Sequence, residues 1–118
     1  TYCNAGHEPG MLLRDGRLKE LSSGGPLVGL DADSRYNHQV VDLLPGDTIV
    51  LYTDGLAEAM NFQDEPFGRE RIRRAAEAEV SRGGSARSVG RHLLWEMRRF
   101  AGLQTRCDDL TLLTVQVL

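Results

Sequence analysis

Hydrophobic positions in this chain come first in short extended runs, then in two helical stripes, and last in one closing extended run. Residues 1–4 read as a strand that ends at Ala5-Gly6-His7-Glu8-Pro9. Residues 11–14 and 17–21 flank Asp15-Gly16, a pair suited to the two positive-φ positions of a tight hairpin. A loop at 22–26 leads to a short apolar segment, 27–30, interrupted by Gly29, and then to a polar, exposed stretch at 31–36. Residues 38–43 alternate as a strand would, with Val40, Leu43 and Leu44 expected to face inward. The run 48–53 is β-branched and aromatic and has the length of a buried strand. Pro45-Gly46-Asp47 opens it and Asp54-Gly55 closes it, after which Leu56 to Met60 offers only helix formers.

Two amphipathic helices follow. Across 68–82, Ile72, Ala75, Ala76 and Val80 recur at helical spacing, and Gly83-Gly84 ends the pattern. Ser85 is placed to cap a second helix whose apolar stripe is Val89, Leu93, Met97 and Phe100. The arginines between these positions read most simply as solvated faces. A loop is expected at 102–106, and 110–118 reads as a buried strand.

A chain of 118 residues is one domain or part of one. Its formal charge of −3 excludes a strongly basic nucleic-acid surface, although thirteen of its fourteen basic residues are arginine. Neither a membrane-spanning run nor a signal peptide is visible. The chain opens inside what reads as a strand, so it is expected to be a piece of a longer protein. Cys3 and Cys107 make no disulfide framework and are expected to be a reduced, cytoplasmic pair.

The candidate chemistry lies in the acids. Asp54 stands at the end of one apolar strand, and Asp108-Asp109 introduce another. Antiparallel pairing of those strands would bring the carboxylates to one sheet edge. Clustered carboxylates repel and are costly to desolvate, so they call for a cation or a shared proton, and hard oxygen donors favour magnesium or manganese. Local alternatives stay open: Asp54 as a simple N-cap, and Asp108-Asp109 as a turn. A zinc site on Cys3, His7 and Cys107 lacks paired-ligand spacing.

Several segments occur together and in order: Asn4-Ala5-Gly6-His7-Glu8-Pro9, Gly25-Pro26-Leu27-Val28-Gly29-Leu30, Gly46-Asp47, Leu51-Tyr52-Thr53-Asp54-Gly55-Leu56-Ala57-Glu58-Ala59, Phe67-Gly68 and Asp108-Asp109-Leu110-Thr111-Leu112. As a set they resemble the C-terminal part of the SpoIIE-like branch of PPM (type 2C) metal-dependent serine/threonine phosphatases. The resemblance implies an α+β fold, part of an α/β/β/α sandwich with antiparallel central sheets and outer helices. Residues 1–118 would be the C-terminal portion of one such domain, its N-terminal part absent. It also implies a site for two manganese or magnesium ions, with Asp54 and Asp108 as ligands and Asp109 as an alternative or supporting one. Asn4 and His7 would lie near the site, His7 standing where other branches carry an acid, and Gly55 would serve a tight turn.

The activity implied is hydrolysis of phosphoserine or phosphothreonine by metal-activated water, with no phosphoenzyme. The implied substrates are phosphorylated regulators of the anti-sigma-antagonist kind, in bacterial stress or sporulation partner switching. An upstream sensory domain is implied, a dimer is compatible, and neither nucleic acid nor membrane insertion is expected. The family's early aspartate-glycine motif has no counterpart before Asn4. Residues 1–118 alone are therefore expected to turn over little or nothing, with sheet edges and apolar faces left uncovered. The competing reading is a non-catalytic regulatory or protein-binding module.

Overall fold

The computed structural model describes residues 1–104 and 108–118. Cys107 and the end of the expected 102–106 loop fall outside these residues, while Cys3 is an exposed free thiol. The elements run β1 (Asn4–Ala5), β2 (Gly10–Arg14), β3 (Arg17–Leu21), β4 (Gly24–Gly25), β5 (Thr48–Tyr52), α1 (Asp54–Ala57), α2 (Gly68–Ser81), α3 (Ala86–Ala101) and β6 (Leu112–Gln116). Asp15 and Gly16 both adopt positive φ, at 48° and 72°, and fold β2 onto β3 as the sequence pattern predicts.

Four strands form one antiparallel sheet in the order β3-β2-β5-β6, while β1 and β4 form a small parallel pair of their own. Side chains alternate across the sheet, so β2 and β5 each present two faces. Met11, Leu13, Val50 and Tyr52 face α2 and α3 and join Ile72, Ala76, Val89, Leu93 and Met97 in a buried cluster. Both expected helical stripes are therefore core, with Val80 and Phe100 packed partly buried at its margin. Ser85 caps α3, its hydroxyl accepting from the Ser88 N–H at 3.3 Å.

The opposite face is covered unevenly. Leu12 is buried and lines a small cavity of about 100 Å³ together with Tyr2, Leu21 and Val41. Farther along, Leu51, Leu113 and Val115 are 37%, 52% and 44% exposed. The closing strand, expected to be buried throughout, thus has one packed face and one open one. Residues 38–43 form no strand: only Gln39 pairs, as a single bridge to Tyr2. Val40, Leu43 and Leu44 lie exposed instead of pointing inward. Alternation alone did not supply a partner strand for this segment. The first strand is likewise reduced to Asn4–Ala5, with Tyr2 held by that bridge.

The start of β5 is fixed by an ion pair 33 residues apart in sequence. Arg14 donates from Nε to Asp47 Oδ1 at 2.7 Å and from Nη2 to Oδ2 at 2.6 Å. The Leu44 N–H adds a third bond to this carboxylate, which is only 1% exposed. Arg14 thereby holds the Asp47 carboxyl below its ordinary pKa, against the opposing effect of burial.

Candidate metal centre

β5 and β6 pair antiparallel, with Tyr52 opposite Leu112, so the exit of one strand lies beside the entry of the other. The pairing continues one residue past the regular ladder. Thr53 N–H donates to the Thr111 carbonyl at 3.0 Å, and Thr111 N–H donates to Thr53 Oγ1 at 2.9 Å. This clasp sets the positions of the acids on either side.

The short helix begins two residues earlier than its apolar composition indicated. Thr53 occupies the N-cap position without a side-chain cap bond, and Asp54 is the first helical residue. Asp54 is therefore not the N-cap. Its Oδ1 accepts from the Gly55 N–H at 3.0 Å, which orients the carboxylate at the strand mouth. Starting the helix at Asp54 also places Glu58 one turn later on the same side. The Glu58 N–H donates to the Asp54 carbonyl at 2.9 Å.

One carboxylate oxygen from each of Asp54, Glu58 and Asp108 lies within 4.8 Å of the others. All three are exposed. Asp54 and Asp108 were anticipated from the strand ends; Glu58 was not. Its signal was the four-residue spacing Asp54-x-x-x-Glu58, hidden while the helix was read from Leu56. Asp109 falls outside this trio. Its N–H donates to Asp108 Oδ1 at 2.7 Å, steering the neighbouring carboxylate, and its carbonyl accepts from Thr53 Oγ1 at 3.4 Å.

Gly55 has no positive φ, so it serves no left-handed turn. It permits close approach instead. A Cβ at this position would overlap the Asp109 carbonyl oxygen and sit 3.0 Å from its carbon. Only glycine lets the start of α1 lie directly against the segment that carries Asp108.

On the other side of Asp54, a cleft of about 170 Å³ is lined by Gly6, His7, Glu8, Thr53 and Asp54. Asn4 shapes its wall by accepting from the His7 N–H at 2.8 Å and donating to the His7 carbonyl at 2.9 Å. His7 Nδ1 lies 2.8 Å from the Glu8 carbonyl, which can only accept, so Nδ1 is the donor of this bond. Glu8 ties the loop to α2: Arg69 Nη2 donates to Oε1 at 2.8 Å, and Nε lies 2.8 Å from Oε2. That pairing holds the Arg69 guanidinium above its usual pKa.

The chemistry of the trio fits a divalent cation that prefers oxygen. All three donors are carboxylates, close enough for one ion to bridge and with no cationic side chain paired to them among the described residues.

The family model for stage II sporulation protein E matches residues 1–118. Protein IcfG of Synechocystis sp. is 37% identical over 82 residues, covering 69% of this chain and 13% of that protein. Phosphoserine phosphatase RsbU of Bacillus subtilis is 38% identical over 60 residues, covering 49% of this chain and 18% of its own length. The chain thus spans less than a fifth of either relative. Among solved structures, the RsbU and RsbW domains of a Mycobacterium tuberculosis protein overlay with a TM-score of 0.75 at 27% identity, covering 98% of this chain and 32% of that one. The PP2C domain of SiaA from Pseudomonas aeruginosa gives a TM-score of 0.73 at 21% identity, covering 93% and 43%. The phosphatase domain and regulatory-domain fragment of SpoIIE from B. subtilis give 0.69 at 16%, covering 96% and 32%. The match along the whole chain and the overlay of its sheet and helices agree, and the chain belongs to the SpoIIE family of PPM serine/threonine phosphatase domains.

Proposed function

We propose that this chain contributes one side of the metal centre of a PPM-type phosphatase that removes phosphate from serine or threonine of a regulatory protein. The carrying observation is the convergence of Asp54, Glu58 and Asp108 within 4.8 Å at the paired ends of β5 and β6. Manganese or magnesium bound there would supply Lewis acidity toward a phosphoryl oxygen and lower the pKa of water. The role of the chain's own residues is to hold and aim. Asp54 and Glu58 project from one turn of helix, Asp108 comes from the segment that leads into β6, and Asp109 orients Asp108 through its N–H. Asn4 and His7 shape the adjoining cleft.

Solved relatives are two to three times longer than the stretch they share with this chain. That ratio is compatible with residues 1–118 being a portion of a longer polypeptide, and we take them as the C-terminal portion of the domain, with the remaining ligands for a two-ion site supplied elsewhere in the polypeptide. The phosphoserine phosphatase RsbU among its relatives supports a phosphorylated protein substrate. We assign that substrate to the anti-sigma-antagonist class, in a cytoplasmic partner-switching system under an upstream sensory domain.

Manganese-dependent hydrolysis of an aryl phosphate by the full-length protein tests the reading. Activity should rise saturably with manganese, fall sharply in Asp54→Asn, Glu58→Gln and Asp108→Asn, and be absent from residues 1–118 alone. A folded full-length protein without turnover at saturating manganese would favour a non-catalytic regulatory module. Full activity in all three variants would remove these acids from the metal centre.

A further inference from the structure

The formal charge of −3 conceals a segregation of charge. From Gly68 to Ala101 there are nine arginines against four glutamates, whereas the rest of the chain has five basic residues against thirteen acids. The two helices are therefore a basic layer on an acidic body. Some of these arginines are used locally. Arg74 pairs with Glu70 at 2.9 Å, Arg99 pairs with Glu96 at 3.0 Å, and the Arg71 guanidinium lies 4.4 Å from the centre of the Phe100 ring.

Others have no such use. Among the described residues, Arg87, Arg91 and Arg98 have no carboxylate within 4.0 Å, and all three are exposed. At about 100° per residue they fall, with Trp95, within an arc of about 80° on the outer side of α3. Trp95 is 54% exposed at the edge of this arc, with the Arg99 guanidinium 4.8 Å from its ring centre and the His92 ring stacked at 6.1 Å. Beside the stripe runs a groove of about 470 Å³ between α2 and α3, lined by Phe67, Ala75 and Phe100, by Arg71, Arg74, Arg82 and Arg99, and by His92 and one acid, Glu96, which Arg99 pairs. A merely solvated helix face gains from acids placed four residues from its bases, and this stripe has none at those positions. Arginine and tryptophan together on an exposed face are what the centres of protein interfaces are made of.

We propose that the outer stripe of α3 and its groove with α2 dock an acidic amphipathic segment of a partner polypeptide. Its carboxylates would meet Arg87, Arg91 and Arg98, and its apolar side would cover Trp95 and enter the groove. Shape and charge favour this occupant over two others. A membrane would meet Trp95 as the one apolar side chain within the arginine stripe, beside a concave groove that a lipid plane does not fill. A nucleic-acid duplex would leave the apolar groove floor unused. The site lies on the helix layer, apart from the acids of the metal centre, and does not depend on their role.

The test is fluorescence anisotropy of the full-length protein with a labelled 18-residue peptide, helical, with glutamates along one side and leucines along the other. Binding should weaken at least tenfold in Arg87→Glu/Arg91→Glu/Arg98→Glu and severalfold in Trp95→Ala, and should weaken as salt is raised. These positions are on the surface, and unchanged circular dichroism would confirm that each variant is folded. Wild-type affinity in the charge-reversed protein would overturn the proposal. So would equal binding of a scrambled peptide of the same charge, or preferred binding to phosphatidylserine vesicles or a DNA duplex.

Discussion

The two faces of the four-stranded sheet carry similar residues and have opposite fates. Toward the helices, Met11, Leu13, Val50 and Tyr52 are sealed under α2 and α3. On the other side Leu12 is buried, but Leu51, Leu113 and Val115 stand partly open beyond it. Strand propensity therefore determined where these segments pair, and the covering layer determined which of their side chains left water. The acids occupy neither face. They sit at the rim, where backbone pairing positions them and stability asks little of them.

That separation can be broken most forcefully at the rim. On the proposed function, Asp54→Asn in the full-length protein should lower phosphatase activity by about 100-fold or more, as loss of a principal ligand would. Thermal stability should stay level or rise, because removing one charge relieves carboxylate repulsion. A matching loss of melting temperature would show that Asp54 is structural. On the packed face, Leu93→Ala should cost about 2–5 kcal/mol in denaturant unfolding, the range for truncating a buried leucine. A value near zero would mean that the helix layer is not a core.

Asp47 tests the junction of the two faces. Asp47→Asn should cost about 1–3 kcal/mol at neutral pH, because Arg14 and the Leu44 N–H lose a charged acceptor. The wild-type contribution is complete above the ordinary carboxylate range, about pH 4, and disappears as pH falls through the lowered folded value. Urea unfolding at a series of pH values should thus show the two proteins converging in acid. A gap that persists below that range would implicate packing in place of the ion pair. The smallest effect is expected on the open face: Leu113→Ser should change stability by less than about 0.5 kcal/mol in residues 1–118. A larger loss there would show that this face is covered.

Much of this arrangement was legible in the sequence wherever periodicity or turn chemistry was strong. Asp15-Gly16 specified the hairpin, Ser85 the start of α3, and the stripes through Ile72 and Leu93 the packed sides of two helices. The carboxylate cluster was half legible, since Asp54 and Asp108 followed from the strand ends while Glu58 depended on a helix start that composition misplaced. Residues 38–43 misled because alternation reports a face and not a partner. The bond between Arg14 and Asp47 left no local trace, because 33 residues separate its ends.

The contact at Gly55 sets a dimension. Most multi-carboxylate sites are spaced by rotamers, which can relax when a neighbour changes. Here the gap between the helix that bears Asp54 and the segment that bears Asp108 is fixed by main chain resting on main chain, where Asp109 meets a residue without a side chain. Such a gap behaves as a gauge block and not as a spring. Repacking the core should leave it unchanged, whereas a single methyl at position 55 would reset it. An engineer wishing to change the spacing of the proposed cation site would therefore turn first to this glycine, before altering any of the acids.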